Sequence, residues 1–232
     1  PPRSTLFPYT TLFRSGTLML SGGAGLRAMN QAFFDIYGIK EVFSGINLAG
    51  RTDTSIFRDA VKARHLPDTP AALQEFQKRY FACLPAELDN PAGDKKLMPG
   101  VAALLPALQQ REQVFLGLLT GNWETSGYIK LAHFGLDGYF SFGAFADDSE
   151  KRPELLPYAI RRFAAKYDRT PAPDQIYVIG DTPSDILCAQ PHNAKAVAVA
   201  AAHYKEKDLQ PYNPDFLLQD LSDLPQVLSI LG

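Results

Sequence analysis

The spacing of apolar positions divides the chain into two textures. From Leu26, Ala28, Met29, Ala32, Phe33 and Ile36 recur at helical period, and Gly38 supplies a stop. Residues 52–66 carry Ile56, Phe57, Ala60 and Val61 on one side, with Thr52 as N-cap. Residues 70–86 form a third helical stretch with Ala72, Leu73, Phe76, Tyr80 and Phe81. Residues 26–90 are therefore expected to be all helical. After a loop at 91–99 and a helix at 100–110, continuous apolar runs take over at Val114–Leu119, Ile176–Ile179 and Ala196–Ala200. Runs of that kind suit strands buried on both faces. Shorter strands are expected at 139–143 and 216–218, with helices at 124–133, 153–167 and 183–190 between the runs. Strands alternating with helices predict an α/β fold, a doubly wound parallel sheet with a Rossmann-like core, and the helical segment reads as an inserted cap.

Composition narrows the partners. The chain has 232 residues, 46% hydrophobic, with a net charge of −2, which excludes a disordered chain. The 17 glycines and 18 prolines show no period, which excludes repeat scaffolds. The near-neutral charge leaves no footprint for nucleic acid. No run of 18 apolar residues predicts a membrane span, and the start lacks a signal-peptide pattern. Cys83 and Cys188 lack metal-ligand spacing and make no disulfide framework, so a reduced, cytoplasmic protein is expected. His65, His133, His192 and His203 have no mutual spacing for zinc.

Residues 1–15 stand apart. They contain no acidic residue and repeat Thr-Leu-Phe at 5–7 and 11–13. Read back into codons, all fifteen resemble a translated frame of a widely used sequencing adaptor, so they are expected to be foreign. Tyr9 to Phe13 are still apolar and β-prone enough to form a first strand.

In open parallel sheets, ligands bind beyond the carboxyl ends of the strands. After Ile176–Ile179 comes Gly180-Asp181-Thr182-Pro183-Ser184-Asp185. Asp181 at the strand tip and Asp185 in the first helical turn are hard oxygen ligands suited to Mg²⁺. Helix capping accounts for Asp185 but not for Asp181. After Val114–Leu119, Thr120-Gly121-Asn122 places a hydroxyl and backbone N–H groups at a helix start, either an anion site or an N-cap. Lys151-Arg152, after the acidic stretch 147–150, offers a cation or a solvated charge run. Gly23-Ala24-Gly25-Leu26-Arg27-Ala28 fits a dinucleotide pattern, but the chain beyond it is helical and no acidic residue lies about 20 positions on. A hinge between core and cap suits it better. Trp123 is expected to pack, and Phe33, Phe34 and Tyr37 to form cap core.

In order, these pieces resemble the haloacid dehalogenase-like hydrolases, in their phosphoglycolate phosphatase and β-phosphoglucomutase branch. Gly16-Thr17-Leu18 matches the tail of that family's first motif, Asp-x-Asp-Gly-Thr-Leu. Thr120 matches the second motif and Arg152 or Lys151 the third; the following Pro153 favours Arg152. The stretch 180–185 matches the fourth, and Gly50-Arg51-Thr52-Asp53 resembles a cap element lying over the substrate. The resemblance implies a core of residues 16–22 and 95–232, a cap of 23–94, and Mg²⁺ held by Asp181 and Asp185. It implies phosphate binding by Gly16, Thr17, Thr120, Gly121, Asn122 and Arg152, with Thr120 and Arg152 catalytic. The implied substrate is a small phosphorylated metabolite, hydrolysed through an aspartyl-phosphate, and Arg51 is a candidate contact for a second anionic group. The first motif departs from the pattern, because Phe13 and Ser15 stand where its two aspartates belong. The chain as written is therefore expected to be inactive, the remnant of a phosphoglycolate phosphatase-like enzyme. The alternatives are a natural pseudoenzyme that binds phosphate or a partner, and a β-phosphoglucomutase-like phosphotransferase.

Overall fold

In a computed structural model of the chain, residues 9–13, 15–43, 50–201 and 204–231 are described, Ser15 by its backbone alone. The readings of residues 1–8, Arg14 and His203 lie outside them. The elements run β1 (Tyr9–Phe13), α1 (Ser15–Leu18), β2 (Met19–Ser21), α2 (Ala24–Tyr37), α3 (Asp53–Ala63), α4 (Pro70–Asp89) and β3 (Lys95–Leu97). They continue with α5 (Val101–Gln109), β4 (Val114–Leu119), α6 (Glu124–His133), β5 (Gly143–Ala144), α7 (Leu155–Tyr167) and β6 (Ile176–Gly180). The last are α8 (Pro183–Ala189), β7 (Lys195–Val199), α9 (Glu206–Leu209), β8 (Phe216–Leu218) and α10 (Leu224–Leu231).

Six strands form one parallel sheet in the order β5-β4-β1-β6-β7-β8. The unusual N-terminal tract supplies a central strand. Tyr9–Phe13 pair with Val114–Leu118 on one side, and Thr10–Phe13 with Ile176–Ile179 on the other. Alternation along β1 sends successive side chains to opposite faces. Phe13 joins a cluster with Leu104 and Leu108 of α5, Leu131 of α6 and Leu231 of α10. Leu12 joins the opposite cluster, with Leu155 and Phe163 of α7 and Ile186 of α8. The Thr10 and Thr11 hydroxyls on the same strand are buried and meet no hydrogen-bond partner. Each is a desolvated polar group in a position that elsewhere in this sheet is apolar.

The helical segment encloses its own core around Phe33, Phe43, Phe57, Phe76 and Tyr80. Its helix ends follow local chemistry. Thr52 caps α3 by accepting from the Ser55 N–H at 3.2 Å, and Thr69 caps α4 from the Ala72 N–H at 3.2 Å, with Pro70 opening the helix. Gly38 closes α2 at φ 70°, a left-handed stop that glycine adopts without strain.

Three expectations are corrected. The strand expected at 139–143 is a single 3₁₀ turn at Asp137–Tyr139 followed by the two-residue β5. The loop at 91–99 contains β3, which pairs antiparallel with β2 across the whole helical insert. Phe34 is not cap core: it is exposed, with the Lys40 ammonium 5.2 Å from its ring centre.

Candidate active site

The tips of β1, β4 and β6 are neighbours, so the residues following them converge. At the first tip Phe13 points away, its buried ring meeting Phe140 edge-on at 6.2 Å. It offers no nucleophilic atom and no metal ligand. The chain then turns into α1, which brings Gly16 and Thr17 beneath Asp181: the Thr17 hydroxyl donates to Asp181 Oδ1 at 3.1 Å, with both residues buried. A Cβ on Gly16 would stand 3.1 Å from the same oxygen, so this glycine lets the backbone approach the carboxylate.

At the second tip, Thr120 and Asn122 form a compact unit. The Thr120 hydroxyl oxygen accepts from the Asn122 N–H at 3.2 Å and from its side-chain Nδ2 at 2.7 Å. The N–H groups at the start of α6 are already engaged. The Trp123 N–H donates to Asp53 at 3.1 Å, and the Glu124 N–H donates to Asp147 at 2.7 Å. The anion site expected from adjacent amides thus reduces to the 120–122 turn.

At the third tip, Arg152 and Asp185 are both buried and locked together. Asp185 Oδ1 accepts from Arg152 Nε at 2.9 Å and from Nη2 at 2.5 Å. Asp185 Oδ2 accepts the Thr182 N–H at 3.0 Å and its hydroxyl at 2.8 Å. Arg152 Nη2 also donates to the Leu119 carbonyl at 3.0 Å. Lys151, by contrast, is exposed and pairs with Glu154 at 3.3 Å. Of the two candidate cations, only Arg152 reaches the strand tips.

The stretch 50–53 lies across these tips. A Cβ on Gly121 would stand 2.2 Å from the Arg51 carbonyl oxygen, and the Asp53 N–H donates to the Gly121 carbonyl at 2.6 Å. Gly50, at φ 74°, lies against Ser184. The Thr52 hydroxyl reaches the Glu150 carbonyl at 2.7 Å, and the Thr54 hydroxyl the Ala146 carbonyl at 3.0 Å. Arg51 is turned back on its own helix, paired with Asp59 at 2.7 Å. Trp123 extends from the core into the cap, where its Nε1 donates to the Thr54 hydroxyl at 2.9 Å.

Between tips and cap lies a cavity of about 470 Å³, lined in part by Gly16, Arg51, Asp53, Tyr80, Asn122 and Lys130. Of these, Asp53 was expected only as part of the 50–53 stretch, with no role of its own, and Lys130 was not expected at all. Asp53, from the cap, accepts from the Trp123 N–H and, at 3.2 Å, from the Ser126 hydroxyl, so it caps a helix of the other unit. Burial pushes its carboxyl above the ordinary 3.8, opposed by the attraction of Lys130 and by the two hydrogen bonds. Lys130, on α6, is buried and donates to Asn122 Oδ1. Burial lowers its ammonium below the ordinary 10.5, and Asp53 opposes that shift. Burial also holds the Tyr80 phenol well above its ordinary value. The local pattern gave neither its role, because Asp53 finds its partners, Trp123 and Ser126, in the other half of the molecule and Lys130 is drawn to Asp53 across the same boundary.

The donor set present does not fit Mg²⁺. Phe13 contributes no oxygen, and both Asp185 oxygens accept bonds from Arg152 and Thr182. Among the described residues, no group of three or more His, Cys, Asp or Glu side chains is placed to hold a metal.

Residues 152–224 match the HAD-hydrolase-like family. The pyrophosphatase PpaX of Oceanobacillus iheyensis is 26% identical over 137 residues, 58% of this chain and 59% of that protein. PpaX of Anoxybacillus flavithermus is 32% identical over 120 residues, 50% of this chain and 52% of that protein. The chain thus spans about half the length of the curated relatives it matches. Among solved structures, a predicted phosphoglycolate phosphatase from Haemophilus somnus superposes with a TM-score of 0.69 at 20% identity, covering 97% of this chain and 100% of the other. CbbY from Rhodobacter sphaeroides, solved in complex with phosphate, gives 0.68 at 20% identity, covering 94% and 96%. These superpositions establish the fold.

Proposed function

We propose that the chain is a member of the haloacid dehalogenase-like hydrolases, derived from a phosphatase of small phosphate monoesters, phosphoglycolate phosphatase-like, and that it is itself inactive. The observation that carries the second half is Phe13, whose ring is packed into the hydrophobic core where a nucleophilic carboxylate is needed.

In the form with aspartates at 13 and 15, the carboxylate at 13 attacks phosphorus and the bond to the leaving oxygen breaks. The acid at 15 gives that oxygen its proton. It then takes a proton from water, which attacks the aspartyl-phosphate and releases inorganic phosphate. Thr120, Gly121, Asn122, Gly16 and Thr17 cradle the phosphoryl group, and Arg152 offsets its charge from behind the strand tips. In that form Mg²⁺ would be held by Asp181 and the carboxylate at 13 and would offset the charge of the phosphoryl group, while Asp185, whose two oxygens serve Arg152 and Thr182, would stand behind them. The cap, residues 23–94, closes the site over the core of 16–22 and 95–232. The two buried free cysteines support a cytoplasmic setting.

The orphaned Thr10 and Thr11 hydroxyls support a foreign origin for residues 1–15, since a strand matched to this slot would be apolar. The close packing of Phe13 favours the second reading, a natural pseudoenzyme on the same fold.

The test is phosphate release from a panel of small monoesters. The chain as it stands should give no turnover above buffer. The double variant Phe13→Asp, Ser15→Asp should turn over with added Mg²⁺, although losing the buried ring costs it roughly 3 kcal/mol of stability. Turnover by the unaltered chain, or a folded but silent double variant, sinks the proposal.

A further inference from the structure

The glycine-rich stretch Gly22-Gly23-Ala24-Gly25 has no part in the reaction proposed above, yet Gly22, Gly23 and Gly25 line the cavity. It opens α2, a helix of 14 residues that begins bare: no side chain caps it, and its first turn holds no acidic residue. The positive end of its dipole therefore lies at the cavity wall without a side chain to offset it.

Two further donors meet there. A Cβ on Gly25 would stand 3.2 Å from Lys130 Nζ and 3.5 Å from the Tyr80 hydroxyl, so both groups look onto the bare face of this glycine. The Tyr80 hydroxyl is fully buried and meets no hydrogen-bond partner. The Ser126 hydroxyl beside it directs its proton to Asp53 and to the Trp123 carbonyl. A buried phenol in that state is costly, and at a cavity wall an acceptor on a ligand removes the cost. Lys130 carries three N–H donors and no acceptor, and one of the three goes to Asn122 Oδ1. The acidic groups of the same cavity are engaged: Asp53 Oδ2 accepts from the Trp123 N–H and the Ser126 hydroxyl, and Asp94 pairs with Lys96. Arg51, which the sequence offered for a second anionic group, is held by Asp59.

We propose that the first turn of α2, the Tyr80 hydroxyl and the Lys130 ammonium form an oxyanion subsite, which takes a carboxylate on the leaving group of the substrate. A carboxylate accepts at both oxygens and donates nothing, so it matches a wall made of donors. Gly25 makes the room for it. The assignment to a leaving group rests on the phosphatase reading above; the binding of a free carboxylate does not.

The test uses the chain as it stands. Glycolate is titrated at constant ionic strength, and the amide of Leu26, in the same first turn, is followed by NMR. A saturable shift is expected in the parent. Tyr80→Phe removes only the hydroxyl and should weaken binding about tenfold. Gly25→Ala sets a methyl between the two donors and should abolish it. Alanine suits a helical position and phenylalanine deletes an unpartnered hydroxyl, so both variants should fold. No saturable shift in the parent, or undiminished binding in either variant, overturns the proposal. A second arm compares phosphoglycolate with ethyl phosphate, which lacks the carboxylate. Phosphoglycolate should bind the parent at least about tenfold more tightly, and Gly25→Ala should erase that advantage. Equal binding of the two esters by the parent overturns the proposal. If glycolate binds and ethyl phosphate does not, the phosphatase reading falls and the subsite stands.

Discussion

At the scale of single residues, the two threonines of β1 carry a measurable cost. Their hydroxyls are buried on opposite faces of a central strand and make no hydrogen bond. A desolvated hydroxyl costs about 1–3 kcal/mol by protein mutational measures. Thr10→Val and Thr11→Val keep the shape and remove the polar atom, so each should raise unfolding free energy by about 1 kcal/mol in denaturant titrations. Asp53 gives a pH signature. Burial holds its folded carboxyl above the ordinary 3.8, so just above that value the folded chain keeps a proton that the unfolded chain has released. Stability must then fall as pH rises through that window. Asp53→Asn, whose amide oxygen can still accept from the Trp123 N–H, should flatten this slope; an unaltered slope would show that Asp53 is not its source.

At the scale of elements, legibility followed locality. The buried strands β4, β6 and β7 were plain in the sequence because each is a continuous apolar run, and α2, α3 and α4 because one apolar stripe and a cap residue or stop glycine sufficed. The β2–β3 pair was not, because three residues a side, joined across the whole helical insert, leave no periodic trace. The strand-tip groups were legible for the same reason as the strands they follow. The roles of Asp53 and Lys130 were not, since an acid in a first helical turn and a lysine in a helix are ordinary until their partners are known, even though Asp53 lies in the 50–53 stretch that the resemblance marked. The contact between the 50–53 stretch and the 120–122 turn yields a prediction of its own. Gly121→Ala would drive a methyl to 2.2 Å from the Arg51 carbonyl oxygen, and a backbone atom cannot step aside cheaply. It should cost upwards of about 2 kcal/mol and raise the rate of limited proteolysis at the cap. Wild-type stability and proteolysis together would show that this contact tolerates displacement.

At the scale of the whole molecule, the two units are fastened by exchange. The cap lends Asp53 to the start of α6, and the core lends Trp123 to the aromatic cluster of the cap. Tyr80, Phe76 and Phe81 ring that indole at 5.7, 6.1 and 6.0 Å. Trp123 is also the chain's single tryptophan. The molecule therefore carries a built-in optical gauge. While the two units are docked, its emission should be blue-shifted and resistant to quenching by acrylamide. Any separation of cap from core should move the emission to the red before the far-ultraviolet dichroism of the helices changes. Coincident transitions by both signals would mean that the units come apart only when the whole chain unfolds.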